Sequence, residues 1–315
     1  FRSGYQAGME RFWTLKYLQQ HAITELTATV IKEGMGGGLL VRAESHVTVV
    51  RRALPAPADS PPWESVREAF MYRPEPHSRE RLDAERYLYA SPRVPRDAAL
   101  ADFARQAFTP GLPLLAGARA LMDLIFKTFT FDAEATEVNT PVHDVLKRKR
   151  GVCQDFAHLM IAALRSIGLP ARYMSGYLLT DPPPGKPRLV GADASHAWVA
   201  VWCPGHGWIE YDPTNGIQPD LRHVTLGWGR DFQDVSPLRG VILGGLAQTP
   251  EVRVTVMPEA EAWPPSSSST TRGSLLAMVS VAPLLALRMA RCACCCAIHS
   301  FRTREPGTAA RACTS

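Results

Sequence analysis

The pattern of apolar and polar positions divides the chain into a β-rich beginning and a helical middle. Residues 23–31 and 39–50 are rich in β-branched side chains and partly alternate, which is typical of strands. A glycine-rich stretch at residues 34–38 separates them, so the pattern predicts a β-hairpin, with residues 12–18 as a candidate third strand. Closely spaced prolines then interrupt the pattern and predict a linker and irregular segment over residues 55–97.

From Ala98 onward, apolar residues recur at spacings of three or four, which indicates amphipathic helices. The predicted helices span residues 98–106, 114–129, 141–149 and 152–167, and Gly168 and Pro170 end the last of them. The predicted strands that follow span residues 171–179, 197–202, 208–211 and 251–257. A helix followed by antiparallel strands is an α+β pattern.

Composition narrows the functional classes. The chain is 46% hydrophobic and 21% charged, as is usual for a globular protein. Residues 264–315 hold six arginines and one glutamate, which accounts for the whole net charge of +5, so the body of the chain predicts no nucleic-acid partner. Five of the seven cysteines also lie there. Because only Cys153 and Cys203 lie in the body, we expect reduced thiols and a cytoplasmic location rather than a disulfide framework.

Residues 259–315 are predicted to be a low-complexity, disordered tail. Their 13-residue apolar run, 275–287, is shorter than the roughly 20 residues that cross a bilayer, so no membrane association is expected. The cysteine-rich run 292–299 offers ligands for a soft metal. However, adjacent cysteines seldom form the paired loops of a structural zinc site, and we expect no metal and no cofactor.

Three residues have the chemistry of a nucleophile, a base and the group that orients the base. Cys153 falls at the N-terminus of a predicted helix, where the helix dipole favours a thiolate and the backbone N–H could bind an oxyanion. His196 and Asp212 lie on two successive predicted strands joined by a turn at residues 203–207, so their side chains can meet. Taken singly, such a cysteine is more often a small buried hydrophobe and such a histidine a hydrogen-bonded strand residue, and the aspartate could begin a turn.

The segments around these residues resemble the motifs of the bacterial transglutaminase-like family. The matching segments are Gly151–His158, Gly176–Tyr177, Ser195–Trp198 and Tyr211–Asn215. The resemblance runs from about residue 129 to residue 257. It implies a papain-related α+β core, in which a helix carrying the cysteine packs on an antiparallel sheet, over a catalytic domain of residues 98–258. The strands before residue 55 resemble part of the β domain that precedes this core, so residues 1–54 are predicted to be a truncated N-terminal domain.

The resemblance also implies a catalytic triad of Cys153, His196 and Asp212. The cysteine would attack a carboxamide of a protein or peptide substrate and form a thioester, which an amine or water then resolves. The motifs leave open whether the product arises by transfer or by hydrolysis, and the oligomeric state is also open. The alternative is a non-catalytic peptide-binding or scaffold module with the same fold.

Overall fold

The computed structural model describes residues 22–33, 38–50, 53–71, 78–137, 139–181, 195–235, 250–258 and 272–283. The strands are β1 Ala22–Glu33, β2 Gly38–Val50, β3 Thr130–Phe131, β4 Arg150–Gly151, β5 Ala171–Leu178, β6 Ser195–Cys203, β7 Gly207–Tyr211, β8 His223–Gly229, β9 Pro250–Pro258 and β10 Arg272–Pro283. The α-helices are α1 Trp63–Ala69, α2 Arg79–Glu85, α3 Ala98–Arg105, α4 Leu114–Thr128, α5 Val142–Arg148, α6 Cys153–Ser166 and α7 Phe232–Val235. None of the helices in these described ranges could span a bilayer.

The central layer is an antiparallel sheet of β7, β6, β5 and β8 in that order, with α6 packed against β5 and β6. Helix α6 is almost entirely buried, because its apolar residues face the sheet on one side and α3 to α5 on the other. Burying each large apolar side chain contributes about 1.5–3 kcal/mol. The predicted α+β fold class is confirmed, and α6 and the strand pair β6–β7 lie within one or two residues of their predicted bounds.

A second sheet has the order β1-β2-β10-β9. The hairpin of β1 and β2 confirms the sequence prediction, while the candidate strand at residues 12–18 lies outside the described residues. Valines of β2 and β9 pack on side chains of β5 and β8 and join the two sheets in one apolar cluster. Its buried members are Val47, Val49, Tyr177, Val224, Val254 and Val256.

The predicted linker over residues 55–97 differs most from the structure. It contains α1 and α2, and Trp63 and Val66 of α1 are buried in the main core. The indole Nε1 of Trp63 donates to the carbonyl of Thr109, 3.0 Å away. The prolines that suggested a linker instead lead into a helix, since a proline just before or at a helix start costs no hydrogen bond.

The later strands also depart from the predicted domain limits. Strand β9, which the sequence placed at the end of the catalytic domain, pairs with β10 in the sheet of the N-terminal hairpin. Residues 272–283, predicted to belong to a disordered tail, form β10 between β2 and β9. A continuous apolar run is compatible with a strand that has a neighbouring strand on each edge. Periodicity alone does not distinguish such a strand from an apolar run inside a disordered segment. The hairpin is therefore part of a sheet that the later strands complete.

Candidate active site

The approach to Cys153 is fixed by short backbone elements. Lys149 ends α5 with a left-handed backbone at φ +54°, and its N–H donates to the carbonyl of Val145 over 2.8 Å. The next two residues form β4, which pairs in parallel with β3. The chain then turns directly into α6, whose first residue is Cys153. The thiol is therefore held at a helix N-terminus, as the sequence predicted, and it is partly exposed.

Asp155 closes the first turn of this helix. Its Oδ2 accepts the N–H of Val152 at 2.9 Å and the hydroxyl of Thr136 at 2.6 Å, and burial raises the pKa of this carboxyl. A Cβ at Gly151 would lie 2.7 Å from the same oxygen, so only glycine leaves room for the cap. These contacts give Asp155 a structural place next to Cys153.

His196 lies near the start of β6, opposite Gly176 of β5. The ring of Trp198 stacks on the imidazole with centroids 5.9 Å apart and an interplanar angle of 29°. A Cβ at Gly176 would lie 2.0 Å from the carbonyl oxygen of Val224 and 2.5 Å from the Trp198 ring. The close approach of β8, β5 and the tryptophan therefore requires glycine there and limits the positions open to His196.

Asp212 follows β7 directly and meets His196 in the interior. The Nε2 of His196 lies 2.7 Å from Oδ2 of Asp212, and the side chains are 8% and 0% exposed. Since Nε2 is engaged by the carboxylate, Nδ1 is the ring nitrogen left to face a proton donor. Cys153 raises the pKa of His196, so the thiol lies near this imidazole. The structure therefore brings the three predicted residues together in the order thiol, imidazole, carboxylate.

Further donors converge on the carboxylate of Asp212. Its Oδ1 accepts the backbone N–H groups of Thr214 and Asn215 at 3.0 and 3.3 Å. Its Oδ2 accepts the amide Nδ2 of Asn215 at 2.7 Å and lies 3.1 Å from Nε2 of His223. Counting His196, five donors therefore surround one buried carboxylate, which removes nearly all the freedom of the group that orients the imidazole.

These contacts set the charges of the pair. Burial alone would raise the pKa of Asp212, but the hydrogen bonds from His196 and His223 outweigh it and hold that pKa well below its ordinary range. Burial alone would lower the pKa of His196, but the bonds to Asp212 and Cys153 outweigh it and raise that pKa to about 10. An imidazolium beside the Asp212 carboxylate is therefore favoured at neutral pH.

The second thiol of the body lies in a different environment from that of Cys153. Cys203 is buried at the end of β6, and burial raises its thiol pKa to about 11. Its Sγ lies 3.7 Å from the carbonyl of Pro204. This environment does not activate Cys203 as a nucleophile, because a buried thiol in apolar surroundings stays protonated.

Sequence reasoning missed two residues of this site. Asn215 lies inside a segment quoted for the family resemblance, but no role was predicted for it. His223 falls in a stretch without a predicted strand, although residues 223–229 form β8. Among the described residues, His196, Asp212 and His223 are the group whose potential metal-ligating atoms lie within 4.8 Å of one another. Here these atoms are engaged in hydrogen bonds, and the cysteine-rich run 292–299 lies outside the described residues.

The model of the transglutaminase-like superfamily matches residues 101–213, a span that includes the cysteine, the histidine and the aspartate. Residues 101–213 form a transglutaminase-like domain. An uncharacterized protein of Mycobacterium tuberculosis is 45% identical over 185 residues, which cover 58% of this chain and 56% of that protein. A protein-glutamine gamma-glutamyltransferase of Pseudomonas aeruginosa is 33% identical over 153 residues, which cover 46% of this chain and 23% of that protein.

The chain thus spans a little over half the length of the mycobacterial relative. Among solved structures, a candidate cysteine protease from Cytophaga hutchinsonii is 20% identical, with a TM-score of 0.43 over 68% of this chain and 70% of that chain. The periplasmic domain of TgpA from Pseudomonas aeruginosa, bound to ethylmercury, is 19% identical with a TM-score of 0.30, over 61% of this chain and 84% of that chain. The cytoplasmic location inferred from cysteine usage stays a prediction.

Proposed function

We propose that the transglutaminase-like domain catalyses cysteine-dependent acyl transfer or amide hydrolysis on the carboxamide groups of a protein or peptide. One observation carries the proposal. A partly exposed thiol at a helix N-terminus raises the pKa of a buried histidine, and Nε2 of that histidine lies 2.7 Å from the carboxylate of a buried aspartate. Thiol, base and orienting carboxylate within bonding reach of one another form the arrangement that nucleophilic catalysis needs.

In the first half-reaction, the thiolate of Cys153 attacks the carbonyl carbon of a glutamine side chain. The carbonyl oxygen becomes an oxyanion, for which the backbone N–H of Cys153 at the start of α6 is a donor, since the first N–H groups of a helix have no partner within it. The C–N bond then breaks, and the imidazolium of His196 gives its proton to the leaving nitrogen. Ammonia departs and a thioester remains.

In the second half-reaction, an amine or a water attacks the thioester carbonyl. Neutral His196 takes the proton from the attacking group, and the C–S bond breaks to restore the thiolate and the imidazolium. An amine gives a substituted amide and water gives glutamate. Asp212 stays ionised throughout, because its hydrogen bonds keep its pKa low, and it stabilises the imidazolium whenever that forms.

Mass spectrometry of a glutamine-containing peptide, incubated with the protein with and without a primary amine, tests both steps. Loss of ammonia with gain of the amine indicates transfer, and conversion of glutamine to glutamate indicates hydrolysis. Cys153→Ala should abolish both products, while Cys203→Ala, at the buried thiol, should keep them. An active Cys153→Ala variant would refute the proposal. Peptide binding without turnover in the unmodified protein would instead favour the scaffold alternative.

A further inference from the structure

His223 is a buried histidine with no part in the reaction steps above. It opens β8, opposite Leu178 of β5, and its side chain is 1% exposed. Its Nε2 lies 3.1 Å from Oδ2 of Asp212, the same oxygen that meets His196. The two imidazoles therefore approach one carboxylate oxygen from different strands, with their ring centroids 5.9 Å apart.

The surroundings of the other ring nitrogen fix which nitrogen of His223 carries a proton. The backbone N–H of Asp220 points to Nδ1 over 3.4 Å, so Nδ1 is an acceptor there. The carboxylate of Asp220 lies farther away, at 3.6 Å, and its Oδ1 already accepts the N–H of Arg222 at 2.9 Å. A neutral imidazole that accepts at Nδ1 carries its hydrogen on Nε2. His223 is thereby set to donate to Asp212.

Trp198 contacts both histidines. Its ring stacks on His196 and meets His223 edge-on, with centroids 5.3 Å apart. The indole Nε1 is anchored to Glu210 over 2.7 Å, so the tryptophan has a fixed place. The other three donors to Asp212 come from residues that directly follow it in the chain. His223 is the donor that comes from a distant strand of the sheet, and it links the carboxylate to the sheet itself.

We propose that His223 is a positioning residue for the reaction described under Proposed function, on which this inference rests. It holds the carboxylate of Asp212 against Nε2 of His196 and so keeps Nδ1 of that ring directed at Cys153. His223 has no solvent-exposed surface for substrate, so its loss should lower kcat and leave KM unchanged. A misplacement of about 1 Å at such a site can cost about 100-fold in rate.

Three substitutions separate donation from packing. The amide of His223→Gln lies where Nε2 lies in histidine and can still donate to Asp212. The amide of His223→Asn lies where Nδ1 lies and can reach only the Asp220 side, and His223→Leu fills space without donating. We expect kcat to fall about 100-fold in the Asn and Leu variants and about tenfold or less in the Gln variant, with KM within twofold. His206→Gln, on the exposed turn after β6, is the matched control and should match the unmodified protein.

The pH profile of kcat/KM gives a second readout. The titratable groups around His196 are Cys153 on α6, Asp212 after β7 and His223 on β8, with Asp220 behind the last. Removing a donor from Asp212 leaves more negative charge for His196, which should move the alkaline limit of the profile to higher pH in the Asn and Leu variants. The Gln variant should keep the limit of the unmodified protein.

Equal kcat values for the Gln and Asn variants at equal melting temperature would overturn the proposal, as would losses that follow melting temperature alone. Stoichiometric zinc in the purified protein, lost together with activity in the His223→Gln variant, would make His223 a metal ligand and would also overturn it. If no peptide is turned over, the proposed function fails. The rate at which iodoacetamide labels Cys153 then decides this inference, with slower labelling in the Asn variant than in the Gln variant as the supporting result.

Discussion

The charge of Asp212 can be removed with almost no change in volume by Asp212→Asn. The carboxylate accepts from five donors, three at Oδ2 and two at Oδ1. An asparagine keeps one acceptor oxygen and presents an NH₂ group to the other donors. In either orientation of the amide, its NH₂ group faces hydrogen-bond donors that the carboxylate had accepted. His196 therefore loses either its acceptor or the geometry that oriented its ring. The side chain is fully buried, and water cannot replace the lost contacts.

The expected loss follows from the chemistry of the triad. In a serine triad, the same aspartate-to-asparagine change lowers kcat about 10⁴-fold, because the imidazole takes the wrong tautomer. A thiolate is a better nucleophile than a serine hydroxyl and depends less on its base. We therefore expect a loss of about 10³-fold in kcat, which corresponds to about 4 kcal/mol of transition-state stabilisation. Since Asp212 does not contact the substrate in this mechanism, KM should change little.

Turnover of the glutamine peptide gives kcat, and the rate of iodoacetamide labelling of Cys153 near neutral pH gives a measure that needs no substrate. Both should fall in Asp212→Asn. The matched control is Asp102→Asn, at a carboxylate that is 72% exposed and pairs with Arg105 on the surface, where such pairs are worth little. A folded Asp212→Asn variant that keeps kcat within tenfold of the unmodified protein would refute the reasoning.

Three further predictions address the thiols, the interior and pH. Iodoacetamide should label Cys153 much faster than Cys203 in the folded protein, as peptide mapping would show, because burial raises the thiol pKa of Cys203 to about 11. Arg165→Met should lower the free energy of unfolding by about 3–5 kcal/mol in urea titrations, since it removes the guanidinium hydrogen bonds to the buried carbonyl of Ala171 and to the part-buried carbonyls of Tyr89 and Arg230. The raised pKa of His196 predicts stability that is full below its unfolded pKa of about 6.5 and is lost as pH rises towards about 10. Melting temperatures should therefore fall over that range, and less steeply in Asp212→Asn; parallel curves would contradict this.

Local patterns predicted the elements that carry the triad, because each is defined within a few residues. The 3.6-residue period and the Gly168 stop located α6, and the turn at residues 203–207 located the pairing of β6 with β7. The helical period that runs back from Gly168 begins at about residue 152, which places Cys153 at the start of the helix. The meeting of His196 with Asp212 follows from two strands that are neighbours in sequence as well as in the sheet.

The parts that were missed depend on contacts far apart in sequence. Strand β8 pairs with β5 and not with β7, the strand before it in the chain. No hairpin turn next to β8 in the sequence therefore indicates a strand there. His223 lies 11 residues beyond Asp212, and only the order β7-β6-β5-β8 brings the two together. The same holds for Trp63, whose burial depends on α4 and the chain before it. Local patterns predict the candidate nucleophile, while long-range topology supplies the residues that surround it.

The cost of the His196–Asp212 pair is itself an argument for function. Taking two charges out of water is unfavourable, and apolar side chains of similar volume often replace a buried ion pair with no loss of stability or with a gain. Most of the interior around α6 is apolar and consists mainly of alanine, leucine, valine, isoleucine and phenylalanine. A fold built only for stability would have no use for a buried imidazolium beside a partly exposed thiol. The proposed acyl-transfer cycle uses a charge at that place, so the pair supports that proposal.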